Sequence, residues 1–484
     1  MKRINNKGFT LIELISIIVV LVAIFLVSFP NLLSVTKDED EKLYSDMIDD
    51  LCLAGETYVY SHMDQYPELS TIGESFYVPI SKLMEYGSVS KDRENPKTGE
   101  LIKNNSVKFT VLEDNSLKCE YSDNVYLNSY ITNLYTPNDT VVNNSITYNV
   151  DTTNGIIDDG LGGTVSSGGN LRYYGASPNN YIDIGDRDSD GNVILWRIIG
   201  VFETKYATEE LSCDTDSDSD GHYDNCASDK LVKIIRYESL GKYSWDNKTS
   251  GIGSSTSSYG SNDWTDARLM MLLNPGYENP SDTSIYEYEG SLYWNSKSGK
   301  CYSRSSGATV DCDFTSTGLS TEAQSKVENV LWNLGGLSSS SSDANYYRNL
   351  YSEGYYKWER GTTVYSGRPT EWVGKIGLMY PSDYGYATDL GSCSQTLSSY
   401  NNSSSSYACR TNDWLYDSTE NQWTLSPESA YAYRVFNVLS PGYVDTNYAN
   451  NTYDGVRPVL YLKSDTVLTG TGMTSDGITY YTVE

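Results

Sequence analysis

Residues Phe9 to Phe29 hold only four polar side chains, Thr10, Glu13, Ser16 and Ser28. Wound as a helix they span roughly 31 Å, enough to cross the hydrocarbon core of a membrane. Lys2, Arg3 and Lys7 stand just before the run. The positive-inside rule then places the short N-terminal end in the cytoplasm and the rest of the chain outside. An ordinary secretory signal ends in a small-x-small cleavage site. The stretch FLVSFPNLLSV, residues 25–35, offers no convincing one, so the helix is expected to be kept.

A carboxylate within such a helix is costly and normally has a partner. No Lys or Arg stands inside the run to pair with Glu13. A cut between Gly8 and Phe9 supplies one, because it creates an α-amino group at Phe9. Within one helix that amine lies a turn from Glu13; between staggered helices it reaches the Glu13 of a neighbour. Gly8, the stretch FTLIEL (Phe9 to Leu14) and an apolar run ending at Pro30 together resemble the class III signal of type IV prepilins and pseudopilins. The resemblance implies a prepilin peptidase that cuts after Gly8 and methylates the Phe9 amine. It also implies that Glu13 orders subunits in a growing filament, with Pro30 at the family's position. The Ile/Val-rich helix departs from the family's usual Ala and Gly content. Implied partners are other pilin subunits, the prepilin peptidase and the membrane. The implied location is a single-pass membrane anchor, then the pilus or cell surface.

Net charge is −29, from 64 acidic against 35 basic residues. Such a surface repels phosphate backbones, so nucleic acid is not an expected partner. Tyrosines number 44 and phenylalanines 8, among abundant Ser, Asn and Gly. That composition reads as a loop-rich extracellular surface, and these are also the residues of adaptable binding loops. The eight cysteines fall in couples: Cys52 and Cys119, Cys213 and Cys226, Cys301 and Cys312, Cys393 and Cys409. An even count without CxxC spacing fits four disulfides formed outside the cytoplasm, although eight cysteines allow many pairings.

The expected fold class is α+β, in five segments: a leader (1–8), a transmembrane or filament-core helix (9–34), a pilin-like head (35–122), a linker (123–169) and a mostly β domain (170–484). In the head, the helix continues past Pro30 to the region of Tyr60 to Tyr66. VKFTVLEDNSLKCEY, residues 107–121, alternates around an Asn-Ser turn and reads as a hairpin. Cys52 on the helix and Cys119 on the last strand are placed to staple the two. DDGLGGTVSSGG, residues 158–169, is the linker signal. In the distal domain VILWRIIGVFE (193–203) and KLVKIIRYESLG (230–241) read as strands. TEAQSKVENVLWNLGG (321–336) reads as a helix with a Thr321/Gln324 capping box.

NLRYYGASPNNYI (170–182), LWRIIGVF (195–202), SWDN (244–247), NDWTDARL (262–269), KIGLMYPSDYGYA (375–387), NDWL (412–415) and DGVRPVLYLKS (454–464) follow one another along the chain. The set resembles an uncharacterised domain of surface proteins from low-GC Gram-positive bacteria, itself similar to the C-type-lectin-like fold. In such folds Trp196, Trp264, Trp414 and Arg457 are core or strand-positioning residues.

The strongest chemical motif is CDTDSDSDGHYDNC, residues 213–226. Asp216, Asp218 and Asp220 before Gly221 follow the DxDxDG spacing of calcium loops, and Asp224 takes the ninth-ligand position. The combination with Cys226 resembles thrombospondin type 3 calcium repeats. The twelfth position is Ala227, so the usual bidentate acid is missing, with Asp229 as a substitute. The competing reading is a solvated acidic hairpin tip. A second DxDxDG, Asp186, Asp188, Asp190 and Gly191, reads first as a hairpin turn. The two histidines, His62 and His222, lie in no catalytic motif. An enzyme is not expected. The expected function is a minor type IV pilin-like or pseudopilin subunit that displays a large extracellular binding or adhesion domain. The alternative is an unassembled, membrane-anchored surface receptor or envelope enzyme.

Overall fold

The computed structural model describes residues 39–484 except 64–65, 67–68, 70–71, 74, 104, 163–168, 248–258, 279–289, 303–307 and 401–403. Gly8, Phe9, Glu13, Pro30 and the long apolar run therefore lie outside the described residues. Among the described residues no helix is long and apolar enough to cross a membrane. The chain mixes helix with a larger share of strand, and it divides into two units, Met1–Asn124 and Val125–Glu484.

In the first unit helix α1 runs through residues 39–61. Its face Met47, Leu51, Tyr58 and Val59 is buried with Phe76, Val78, Val107, Phe109 and Val111. These come from the antiparallel sheet β1 (Ser75–Pro79), β2 (Ser106–Val111) and β3 (Leu117–Ser122), in the order β1-β2-β3. A short helix α2 (Ile80–Glu85) follows β1. The β2–β3 hairpin turns at Asn115, whose φ of 61° suits the left-handed conformation that Asn tolerates. Gly55 permits the close approach of helix to sheet, since a Cβ there would stand 2.9 Å from the Phe109 ring. The Cys52–Cys119 disulfide joins α1 to β3 with a Cα–Cα distance of 5.7 Å.

The second unit opens with helix α3 (Leu127–Leu134) and strands β4 (Asp139–Asn143), β5 (Ile146–Asp151) and β6 (Ile156–Asp158). From Val125 on, the described part of 123–169 is thus folded structure of the second unit, a correction to the linker reading. Its Asn and Asp residues make turns: Asn144 and Ser145 take φ of 45° and 66° between β4 and β5, the geometry of a two-residue hairpin. The Asp151 carboxylate accepts the N–H groups of Thr136, Thr153 and Asn154. The apolar islands Tyr148, Val150 and Ile157 bury against Tyr174, Tyr386 and Leu390.

Then come β7 (Leu171–Tyr173), β8 (Tyr181–Asp183), β9 (Trp196–Tyr206) and β10 (Ala227–Arg236). β9 and β10 pair antiparallel at the sheet's centre, and residues Trp196 to Phe202 are all buried. That matches their nearly unbroken apolar run. Helix α4 (Arg268–Leu273) and the β11–β12 hairpin (Ser298–Tyr302, Ala308–Asp313) follow.

The predicted helix over 321–336 is corrected. Helix α5 spans only Thr321–Ser325, with Ser320 rather than Thr321 as its cap, and Val330–Asn333 is strand β13. The capping pattern starts a helix, but the β-branched and aromatic residues Val330 and Trp332 pair with β14 (Glu371–Gly374) instead. Helix α6 (Ser352–Glu359), strand β15 (Ile376–Gly377), helix α7 (Pro381–Ala387) and helix α8 (Ser404–Thr411) come next. α8 takes in Ser404 to Ser406, so this part of a serine run is helical. Strands β16 (Asn421–Pro427), β17 (Arg434–Val438), β18 (Val444–Tyr448) and β19 (Asp454–Gly455) form a four-stranded sheet. β20 (Val459–Leu462), β21 (Leu468–Met473) and β22 (Thr479–Val483) return to the main sheet, which holds thirteen strands among the described residues.

Candidate functional site

All eight cysteines pair as the sequence couples them: Cys52–Cys119, Cys213–Cys226, Cys301–Cys312 and Cys393–Cys409. The Cys213–Cys226 bond closes the acidic loop. Within it Asp216, Asp218 and Asp224 each offer a carboxylate oxygen, all within 4.8 Å of one another. Hydrogen bonds inside the loop aim these groups. Asp216 Oδ2 accepts the Gly221 N–H at 3.0 Å, Asp218 Oδ1 the Asp220 N–H at 3.1 Å, and Asp224 Oδ2 the Ser217 N–H at 2.8 Å. The Ser217 hydroxyl, then its N–H, holds the Asp224 carboxyl below its usual range. Asp216 Oδ1 is buried without a hydrogen-bond partner. Asp220 stands outside the trio, its Oδ1 taken by the His222 N–H at 2.8 Å. The loop is docked on β14: Glu371 meets His222 Nδ1 at 2.7 Å and accepts the Tyr223 N–H at 2.6 Å. Three carboxylates on a disulfide-closed turn fit a hard cation. They supply only part of the 6–8 oxygens calcium takes, so water would complete the shell.

The second DxDxDG is split. Asp186 is buried and accepts the Ser320 N–H (2.8 Å) and Trp196 Nε1–H (3.4 Å). Asp188 accepts the N–H groups of Asp190 and Asn192 around Gly191, whose φ is 84°. This is the turn chemistry expected for it. Trp196, Trp264, Trp414 and Arg457 are all buried. Trp414 lies 4.4 Å from the Arg197 guanidinium and donates to the Tyr173 carbonyl.

One constellation escaped sequence reasoning. Arg172 on β7 binds Asp159 Oδ2 through Nε (2.6 Å) and Asp383 Oδ1 through a terminal nitrogen (3.0 Å). Lys233 on β10 meets Asp383 Oδ2 at 2.5 Å. All four side chains are at most 1 % exposed. Asp383 sits in the first turn of α7, where its carboxylate also caps the Tyr380 N–H. Lys233 faces Gly200 across the β9–β10 register, at a bulge. Burial pushes the Lys233 amine down to about 8, with Asp383 opposing. Burial also pushes Asp383 up, but Lys233 and Arg172 outweigh it and hold the carboxyl below its usual range. Beside them Glu359, at the end of α6, is pushed up to about 7 by burial and is bound by Ser382. The signals were present as Lys233 inside the apolar run LVKII and Asp383 in YPSDYGY, but pairing across 150 residues is invisible in one sequence.

The four-stranded sheet carries a partly exposed aromatic cluster. Tyr259 stacks on Tyr448 at 4.2 Å, Tyr433 adjoins both, and Arg434 lies under the Tyr431 ring at 4.6 Å. Tyr259 and Tyr431 are exposed. Searches against protein-family models, curated proteins and solved structures match nothing to this chain.

Proposed function

We propose that the chain is a minor type IV pilin-like or pseudopilin subunit, cut between Gly8 and Phe9 and assembled through its N-terminal helix. Residues 170–484, read as C-type-lectin-like, form the core of an extracellular binding or adhesion module. The observation that carries this reading is Glu13 within an apolar run with no basic partner except the amine that the cut would create. Two features of the first unit support it. α1 packs on a small antiparallel sheet, and Leu43, Leu53 and Tyr60 on that helix are exposed, as a surface that meets further subunits requires. Four disulfides, three of them in that module, fit an extracytoplasmic location. The chain acts by binding rather than by catalysis, and the Tyr431–Arg434–Tyr448 cluster is the face offered for ligand, being Tyr- and Arg-rich as binding hot spots are. Recovery of Glu13→Ala in sheared filaments tests the assembly role. Loss of the variant from that fraction, with normal membrane levels, is expected; equal recovery refutes it.

Calcium is the proposed ligand of Asp216, Asp218 and Asp224. At ten times its dissociation constant, calcium is expected to add about 1.4 kcal/mol of stability. The increment, read as a rise in unfolding temperature, is expected to vanish in Asp216→Asn. No shift in the parent protein refutes the site.

A further inference from the structure

The ammonium of Lys233 has three donors, yet among the described residues it meets one hydrogen-bond acceptor, Asp383 Oδ2 at 2.5 Å. Aromatic rings enclose it: Tyr380 at 4.4 Å, Phe202 at 5.4 Å, Tyr461 at 5.5 Å and Trp332 at 5.7 Å. Neither Lys233 nor Asp383 is exposed. The two oxygens of Asp383 are held differently. Oδ2 faces Lys233 and the Tyr380 N–H, whereas Oδ1 is bound by the Arg172 guanidinium at 3.0 Å. Arg172 also has its own counter-charge in Asp159.

This geometry points to an intramolecular amide bond between Lys233 Nζ and Asp383 Cγ, formed with loss of one water. The balance closes within the pair. Lys233 gives one proton to Oδ2, leaving a neutral amine and a carboxylic acid. The nitrogen attacks Cγ while Arg172 steadies the charge that builds on Oδ1. A second proton passes from nitrogen to Oδ2, the Cγ–Oδ2 bond breaks, and Oδ2 leaves as water. Oδ1 remains as the amide carbonyl. No oxidant, cofactor or second substrate is needed. The enclosed pair supplies the proximity that makes such a condensation intramolecular. Burial supports it in a second way, because an amine pushed down to about 8 is in part neutral, and so nucleophilic, near neutral pH. The product removes one positive and one negative charge together. Arg172 and Asp159 remain as a balanced pair, and the desolvation cost of the Lys233–Asp383 ion pair disappears. The bond would tie the central strand β10 to α7 across 150 residues. It stands apart from the filament reading.

The test is mass spectrometry of the purified full chain after disulfide reduction. The expected mass is that of the polypeptide less one water, beyond any change from N-terminal processing. Trypsin is expected to release a branched peptide joining residues 231–236 to 376–410, uncut after Lys233. Lys233→Met is expected to lose both the mass deficit and the branch. Separate peptides 231–233 and 234–236 from the wild-type chain, with no mass deficit, overturn the inference. That reading is made on the wild-type protein, so it does not depend on a variant folding. A deficit that persists in Lys233→Met also overturns it.

Discussion

A chain carrying Asp383→Ala is expected to lose on the order of 3–5 kcal/mol of stability, the cost of breaking a buried ion pair from one side. The substitution leaves Lys233 and one arm of Arg172 without an anion, at sites where no side chain is more than 1 % exposed. It also removes the acceptor that caps the Tyr380 N–H at the start of α7. Asp159 remains and balances one of the two cations. Denaturant unfolding of the second unit measures the loss. The double variant Lys233→Met, Asp383→Asn deletes both charges, keeps a cap for α7, and is expected to recover most of it. Equal instability of the single and double variants would show that packing, not charge pairing, dominates there. If the amide forms, Asp383→Ala also deletes a covalent tie, so its deficit grows while the double variant recovers less.

The second large effect is expected in the first unit. Cys52 and Cys119 are 67 residues apart in sequence, and closing a loop of that size restricts the unfolded chain by about 4 kcal/mol in the chain-entropy model. The paired variant Cys52→Ser, Cys119→Ser is expected to lose most of that amount. The effect falls on a small core, Met47, Leu51, Val59 and the facing residues of β1–β3, which has little apolar area to spare. Limited proteolysis should then cut within Met1–Asn124 while Val125–Glu484 stays intact. Unchanged protection of α1 would show that the helix–sheet packing suffices alone.

What was legible in the sequence had local causes. The β2–β3 hairpin was visible because alternation and an Asn-Ser turn lie within fifteen residues. The cysteine couples were visible because three of the four close short loops. β9 and β10 were visible as unbroken apolar runs. The failures had physical reasons too. Residues 123–169 read as a linker because Asn, Asp and Gly mark both turns and linkers, and in the described part from Val125 on they serve as turn formers. Val330 to Asn333 looked helical because a true cap precedes them by a few residues, and only the pairing with β14 decides for strand. Asp220 looked equivalent to its neighbours by spacing, but its carboxylate turns to the His222 backbone. The Asp159–Arg172–Asp383–Lys233 cluster shows only isolated signs, Lys233 inside LVKII and Asp383 in YPSDYGY, because its members come from separate parts of the chain.

The measurement that bears most directly on the central claim is the N-terminus of the protein recovered from cells, read by mass spectrometry. The expected mature chain begins at N-methylated Phe9, with residues 1–8 removed. A chain that retains Met1 and the leader contradicts it. The protein would then be a membrane-anchored surface molecule, and its function would have to be sought in the second unit alone.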